Sequence, residues 1–465
     1  MKNAHSDLIV IGGGPGGYVA AIRASQLGKK VTLVERAELG GICLNWGCIP
    51  TKALLHTAKT LTHIRAAAEL GIMVPDGVRV DFPRAIARSR EVSARLRNGV
   101  GALLKKNGVT VVQGQARLDG PGKVVVTTES GAAKTLTAGA IIVATGASPL
   151  PIDSLPVDGQ RIWNYRHALT ASELPTSLLV VGAGAIGMEF ASFYAALGTR
   201  VSVVEMRDRV LPTEDEEVSQ WVAKAYGQRG IEVRTGSSAS LKSMQPDHVC
   251  ISLCSGDQAE DVTVDRVLVC AGVLGNTQDL GLQSTRVVVN RGCIQVDANH
   301  QTAEPGIYAI GDVCGAPMLA HKASHEGIRC AEHLAGQTLQ HSAARVPACT
   351  YCDPQVASIG LTERQAREAG TPISVGRFSF QGNGKALAIA ESAGFVKTIF
   401  DTRSGELLGA HLVGPDVTEL IQGLSLAQQL EATEEDFMQH IYAHPTLSEA
   451  IGESVMAAYG RAIHA

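Results

Sequence analysis

The order of signatures along the chain predicts an α/β fold class, with two Rossmann-like dinucleotide-binding domains followed by a C-terminal α+β domain for association. Three observations carry this. A strand, a GxGxxG loop, a helix, a second strand and an acid run from Asp7 to Glu35. The same grammar returns from Ser177 to Glu205, too far downstream for a solenoid repeat and at the spacing of separate domains. The last stretch of chain carries strand and helix patterns without any such signature. A length of 465 residues exceeds a single core and supports division into three or four domains.

Taken in order, Asp7-Leu-Ile-Val-Ile11 reads as a buried strand, followed by Gly12-Gly-Gly14-Pro-Gly-Gly17 and a small-residue helix from Tyr18. Glycines at this junction let backbone approach a pyrophosphate that sits on the helix N-terminus. The next strand, Lys30 to Glu35, ends in an acid where a ribose hydroxyl is held. Neither half of this pattern is specific alone; together they point to a bound dinucleotide.

Gly40-Gly-Ile-Cys43-Leu-Asn-Trp-Gly47-Cys48-Ile-Pro50-Thr-Lys52 comes next. Five residues of regular helix climb about 7.5 Å, whereas a disulfide needs Cα atoms closer than about 7 Å. A bridge between Cys43 and Cys48 therefore requires a distorted turn, for which Gly47 supplies freedom and Pro50 a break. Such a bridge suits a redox couple better than a staple. The spacing alone is equally compatible with two buried thiols; the nucleotide signatures on either side favour the couple.

A helical region over about 52 to 107, a strand-rich patch ending at Ala144-Thr145-Gly146-Ala147 and a proline-rich connector, Ser148 to Asp153, lead to the second unit. There Gly182-Ala-Gly184-Ala-Ile-Gly187 opens a helix carrying Glu189, and the following strand ends at Glu205. An acid at that place prefers a free 2′-hydroxyl and repels a 2′-phosphate, which argues for NAD over NADP. Arg207 and Arg209 follow closely and moderate that preference, unless they are solvated surface charges. Two more buried strands end on glycine, at Gly272 and at Gly311 before Asp312. Asp312 either meets a ligand at the carboxyl end of the sheet or caps the helix that follows.

Near the end stands His444-Pro-Thr-Leu-Ser-Glu449. Proline pushes His444 to an extended conformation and is tolerated at a first helical position, so His444 is expected on the lip of a helix with Glu449 in its early turns. A carboxylate that accepts one imidazole N–H leaves the other nitrogen as a base; a histidine that merely caps the helix is the alternative. Cys349-Thr-Tyr-Cys352 has CxxC spacing in a strand-like context, where side chains three apart face opposite ways. It reads as two unpaired thiols, and no metal site is expected.

With 45% hydrophobic and 18% charged residues the chain is globular, and a net charge of -4 without a long basic run gives no reason to expect nucleic acid or an anionic membrane. No apolar run approaches the roughly 20 residues of a membrane span, and Met1 to Asp7 has no signal-peptide h-region. Ten scattered cysteines fit a reducing, cytoplasmic setting.

In this order, the two glycine signatures, the CxxxxC segment, Ala-Ile-Gly-Asp312, Met318-Leu-Ala320-His-Lys-Ala and His-Pro-Thr-Leu-Ser-Glu resemble the flavoprotein disulfide reductases. Within them the likeness is to the branch that oxidises a protein-bound dihydrolipoyl group with NAD, and it covers the chain from Asp7 to the C-terminus. The resemblance implies FAD on residues 1–147, held by Gly12, Gly14, Gly17, Glu35, Lys52, Thr145 and Gly146. It implies NAD on residues 148–274, held by Gly182, Gly184, Gly187, Glu189, Glu205 and Gly272. Residues 275–345 would complete the FAD site with Asp312 and Ala320, and residues 346–465 would form the interface of a homodimer.

By the same resemblance Cys43 is the interchange thiol and Cys48 the thiolate against the flavin. Lys52 neighbours the flavin N5, and Glu189 lies near where nicotinamide and flavin meet. His444, held by Glu449, would come from the partner subunit. The implied partners are lipoylated E2 or H-protein subunits of 2-oxo acid dehydrogenase or glycine cleavage complexes. Two departures touch only local contacts: Val273-Leu-Gly-Asn-Thr277 replaces an Arg-Pro-Asn-Thr run, and Tyr442 replaces a histidine. Glutathione-type reductases use NADPH, mercuric reductases end in a cysteine pair, and soluble transhydrogenases lack the redox cysteines. From another class, a catalytically idle structural flavoprotein would not need every chemical position filled.

Overall fold

The computed structural model describes residues 5–337 and 345–464. These divide into two compact units, one from the described parts of residues 1–54, 83–150 and 272–342, the other from those of 55–82, 151–271 and 343–465.

In the first unit, strands β1 (His5–Ile11), β2 (Val31–Glu35) and β3 (Thr110–Gln113) lie parallel, with β1 central and β6 (Ala133–Val143) on its other side. All of β2 is buried, as expected of a parallel strand covered on both faces. Strand β5 (Lys123–Thr127) continues the sheet antiparallel to β6, and β4 (Gln115–Leu118) lies antiparallel to β5 at the edge. The strand Ile307–Ala309 joins β6 in parallel, with Ile307 opposite Ile141. The chain beyond residue 272 thus returns to the first sheet and delivers Asp312 just past that strand.

Helix α1 (Pro15–Gln26) crosses the helix Ala320–Leu334 so closely that a Cβ on Gly327 would stand 2.5 Å from the Gly16 carbonyl oxygen. The expected helical region is two helices, α3 (Cys48–Arg65) and α4 (Phe82–Lys106), separated by a short 3₁₀ turn and a loop. Ahead of them runs α2 (Gly41–Trp46).

In the second unit the strands Glu232–Arg234, Arg200–Val204, Ser177–Val181, Arg266–Val269 and Ile162–Trp163 form a parallel sheet in that order. An antiparallel meander over residues 238–264 follows the same chain segment. The C-terminal part is a five-stranded antiparallel sheet, ordered Ala348–Thr350, Gln355–Gly360, Leu407–Gly414, Phe395–Asp401, Ile373–Ser379. The helices Val417–Gln429 and Glu449–Ala458 share its apolar core through Ile421, Leu424, Ile451 and Val455. A Cβ on Gly376 would stand 1.8 Å from the Ser454 carbonyl oxygen, so the last helix lies directly on the strand backbone.

Lys397, 1% exposed, sits inside this unit between three carboxylates: Asp215 at 2.9 Å, Glu363 at 2.8 Å and Glu217 at 3.2 Å. A buried ammonium survives only with such pairing. Asp215 is held below the usual carboxylate range: burial pushes it up, and the Lys397 hydrogen bond, with the charges around it, outweighs that push. Removing the cation leaves buried carboxylates uncompensated. Lys397→Met is therefore expected to destabilise the chain by roughly 3–5 kcal/mol in chemical denaturation, and an unchanged midpoint would show that the cluster is neutral to folding.

Candidate functional site

The first glycine loop is built by sterics. Gly12 has φ +105°, and a Cβ there would stand 2.2 Å from the Ala144 carbonyl oxygen. A Cβ on Gly17 would meet the Gly12 carbonyl oxygen at 1.9 Å. Gly14 differs: a side chain would meet nothing nearer than the Gly41 Cα at 3.9 Å, so packing does not demand glycine there. Gly14 is also the N-cap of α1, whose first turn has no side-chain cap and no acid. Free amides at a helix start beside an empty cradle fit a pyrophosphate. Glu35 closes the loop, accepting from Gly13 N–H at 2.6 Å and Ala37 N–H at 2.7 Å. These residues therefore suit a dinucleotide.

The cysteine segment is laid on this loop. Gly40 N–H donates to the Gly13 carbonyl at 2.8 Å, and a Cβ on Gly41 would stand 2.8 Å from the Gly14 Cα. Gly40 and Gly41, at φ +86° and +56°, make the turn that starts α2. Cys43 lies on α2; Gly47 breaks the helix at φ −144°, ψ −109°, and Cys48 opens α3. Pro50 sits in the first turn of α3, where a missing N–H costs nothing, so the break belongs to Gly47 alone.

The two thiols are not bridged and are hydrogen-bonded to each other. That contact first, then burial and the charge of Cys48, pushes Cys43 far above the usual thiol range. Lys52 pulls it the other way and Asp312 adds to the rise, so both lie within electrostatic reach of the pair.

Asp312 stands in a 3₁₀ turn, Gly311–Cys314, while the next helix begins at Ala320 behind Leu319; it does not cap that helix. Its carboxyl is pushed up by burial, eased by Lys322 and raised again by Glu326. Ala320 begins a helix whose N-terminus likewise has no side-chain cap. Thr145 and Gly146 are locked by Asn276, which donates to the Thr145 carbonyl at 2.8 Å and whose own carbonyl accepts from Thr145 Oγ1 at 2.8 Å. The Asn276 N–H also reaches the Gly146 carbonyl at 2.9 Å. The divergent 273–277 run thus keeps its local contacts.

The second loop repeats the first. Gly182 has φ +105° with its Cβ position 2.6 Å from the Cys270 carbonyl oxygen, and a Cβ on Gly187 would stand 1.9 Å from the Gly182 carbonyl oxygen. Around Gly184 nothing lies within 4 Å, and the helix it caps, Ala185–Ala196, has no side-chain cap. Glu205 accepts from Ala183 N–H at 2.7 Å and Arg207 N–H at 2.9 Å. Arg209 is bound to Glu216 at 2.6 Å, which leaves Arg207 as the exposed cation beside the acid. Glu189 is buried and accepts the Tyr351 N–H at 2.9 Å. Gly272, at φ +109°, has open space around its Cβ position and falls at the start of a first-unit segment.

His444 Nδ1 and Glu449 Oε1 are 2.9 Å apart, and Glu449 Oε2 accepts the Thr446 N–H at 2.8 Å. The helix starts at Glu449, so Pro445 lies outside it, contrary to the expectation of proline at the first helical position. Glu449 is held below its usual range although burial opposes this, because the Thr446 amide and the imidazole outweigh burial.

Cys349 and Cys352 have separate acceptors, the Thr418 and Pro354 carbonyls. Among the described residues no group of three His, Cys, Asp or Glu could hold a metal ion.

Sequence reasoning missed what braces the thiol segment: the Arg90 guanidinium lies 4.3 Å over the Trp46 ring, Trp46 donates to Glu38 at 2.8 Å, and Arg97 pairs with Glu38 at 2.5 Å. It also missed Glu326, which accepts Gly311 N–H at 2.7 Å while pairing with Lys322 at 2.8 Å. Lys322 and Glu326 are four apart on one helix, a spacing the sequence carries, whereas the contacts around Trp46 and Glu38 join separate elements and have no such signal.

Comparisons agree with this geometry. A family model described as pyridine nucleotide-disulphide oxidoreductase matches residues 6–327, and that of the family's dimerisation domain matches residues 346–455. Proteins named dihydrolipoyl dehydrogenase from Rhizobium etli and Zymomonas mobilis subsp. mobilis are 48% and 50% identical, each alignment covering 99% of both chains. The crystal structure of LpdA from Mycobacterium tuberculosis superposes with a TM-score of 0.90 at 29% identity, covering 96% of this chain and 98% of that one.

The glycines give a paired test. Gly184→Ala is expected to fold normally yet lose at least roughly tenfold in NADH affinity by calorimetry, because the added methyl enters only ligand space. Gly187→Ala should instead lose stability, by roughly 1–3 kcal/mol. Equal effects of the two changes on stability would contradict the cradle.

Proposed function

The chain belongs to the pyridine nucleotide-disulphide oxidoreductase family, and on that premise we propose that it is an NAD-dependent dihydrolipoyl dehydrogenase. The observation that carries the reading is the pair of hydrogen-bonded thiols, Cys43 and Cys48, seated at a helix break on the first glycine loop. FAD on that loop and NAD on the second complete the set; the flavin, when bound, supplies the two-electron chemistry between dithiol and nicotinamide.

The protein's own part is thiol exchange. In the oxidised enzyme one substrate thiolate attacks the Cys43 sulfur, the Cys43–Cys48 bond breaks, and Cys48 leaves as thiolate. The second substrate thiolate then attacks the mixed disulfide, closing the lipoyl ring and releasing Cys43. Two protons leave the substrate dithiol, and a base must receive them one after the other, passing the first to solvent before it takes the second. His444 is that base: Glu449, fixed by the Thr446 amide, accepts a hydrogen bond from Nδ1–H and leaves Nε2 to accept each proton.

Lys52 and Asp312, both within electrostatic reach of Cys43, and Thr145, Gly146 and Ala320 on the same unit would hold the flavin. Glu189 and Glu205 would hold NAD. The homodimer draws support from the dimerisation-domain match and from Leu387, Leu426, Leu430 and Ile441, large apolar side chains exposed on the C-terminal part. His444, with 78% of its side chain exposed, would serve the partner subunit's thiols. The substrate would be a lipoyl arm of an E2 or H-protein subunit, met in the cytoplasm.

Oxidation of dihydrolipoamide with NAD⁺ tests this. Cys43→Ser is expected to abolish turnover with flavin still bound, and His444→Gln to lower kcat by on the order of 10²–10⁴. A wild-type dimer that binds both nucleotides without turning over the dithiol would favour the idle structural subunit instead.

A further inference from the structure

The helix Glu449–Ala458 carries two carboxylates one turn apart, Glu449 and Glu453, and each holds a histidine. Glu453 is 7% exposed, with its Oε1 2.6 Å from His464 Nδ1. Its Oε2 accepts the backbone N–H groups of Ile463 at 3.1 Å and His464 at 3.3 Å. The segment after the helix is thereby folded back onto it, with the His464 imidazole fixed beside the acid. Residues four apart on a helix lie on one face with Cβ atoms about 5–6 Å apart, so the second pair stacks next to the first.

We propose that Glu453 and His464 are positioning residues for the His444–Glu449 pair, forming a second imidazole and carboxylate whose mutual neutralisation fixes how readily His444 takes a proton. This rests on the reading of His444 as the base. A bare Glu453 carboxylate one turn from Glu449 would stabilise imidazolium at His444 and keep the base occupied. The His464 imidazole, 2.6 Å from that carboxylate, would cancel the field whenever it carries a proton. Consistent with this, Glu453 is held below its usual range, with burial opposing and His464 outweighing it, and the His464 charge also reaches Glu449.

Of the other charges on the elements packed against the helix, those on the two strands have partners of their own. The strand Ile373–Ser379 brings Arg377, paired with Glu217 and Glu363. The strand Phe395–Asp401 brings Lys397, paired with Asp215, Glu217 and Glu363, and Asp401, paired with Arg403. The helix Glu434–Gln439 brings Glu434, Glu435 and Asp436, the last accepting from Thr433. The Tyr442 ring covers Gly452.

The test uses the full-length, flavin-loaded dimer with ¹³C-labelled histidine. The His444 ring resonance is assigned by its loss in His444→Gln, and its pH titration is compared with the acid limb of kcat/KM for dihydrolipoamide. His464→Gln exposes the Glu453 charge and is expected to move both midpoints up by about half a pH unit. His464→Lys, which keeps a cation, and the double variant His464→Gln/Glu453→Gln, which removes both charges, should restore the wild-type midpoint. An unmoved midpoint in His464→Gln, or a double variant that shifts as far as the single one, overturns the proposal, since loss of a structural tail contact alone would not track charge. If dihydrolipoamide is not turned over at all, the assigned reaction fails, while the imidazole titration still decides this inference.

Discussion

A backbone contact without side chains fixes the centre of this molecule. The Gly41 Cα approaches the Gly14 Cα so closely that a single methyl at Gly41 would overlap it. One surface of Gly14 is therefore taken by the thiol helix, while the rest of its cradle remains open to a phosphate. The redox segment cannot drift from the nucleotide without breaking the turn at Gly40 and the hydrogen bond from Gly40 to Gly13. Everything about the thiols follows from that landing. Six residues of helix set Cys43, one broken residue at Gly47 resets the direction, and Cys48 opens the next helix within hydrogen-bonding reach.

The second glycine loop clarifies the first by omission. Gly182 and Gly187 meet the same kinds of obstacle as Gly12 and Gly17, and Glu205 repeats the hydrogen bonds of Glu35, yet no helix is laid on Gly184. One fold design is used twice, once as a plain nucleotide cradle and once with a dithiol added. That difference sets the two loops apart: the first has the cysteine segment laid on it, and the second stands without one.

The glycine loops, the acids after the second strands and the cysteine segment were legible in the sequence because each is local, and each residue type has a narrow physical use at that spacing. What could not be read is long-range. Asn276 locks Thr145 across 131 residues of chain, Glu189 is held by an amide 162 residues away, and Lys397 finds Asp215 across 182. No periodicity encodes such pairings; they arise when elements pack. The errors had the same origin. Pro50 and Pro445 were read from proline's general preferences, but the first is absorbed by a helix start and the second precedes a helix that begins four residues later.

A shared device joins the acids that matter. Glu35, Glu189, Glu205, Glu326, Glu449 and Glu453 each accept at least one backbone N–H. A backbone donor has no pKa in the working range and keeps its place as long as the chain keeps its path. Held by amides, a carboxylate stays oriented without a dedicated counter-ion, and its second oxygen is left for a functional partner. In Glu449 that oxygen holds the His444 imidazole, and in Glu35 and Glu205 both oxygens close a loop next to an open cradle. Lys397 marks the contrast: it is surrounded by side-chain charges alone, it is buried, and its role is cohesion. The same anchoring reaches into that cluster, since Asp215 accepts the Glu217 and Glu363 N–H groups while pairing with Lys397: backbone holds the carboxylate in place and the charge pair holds the cation.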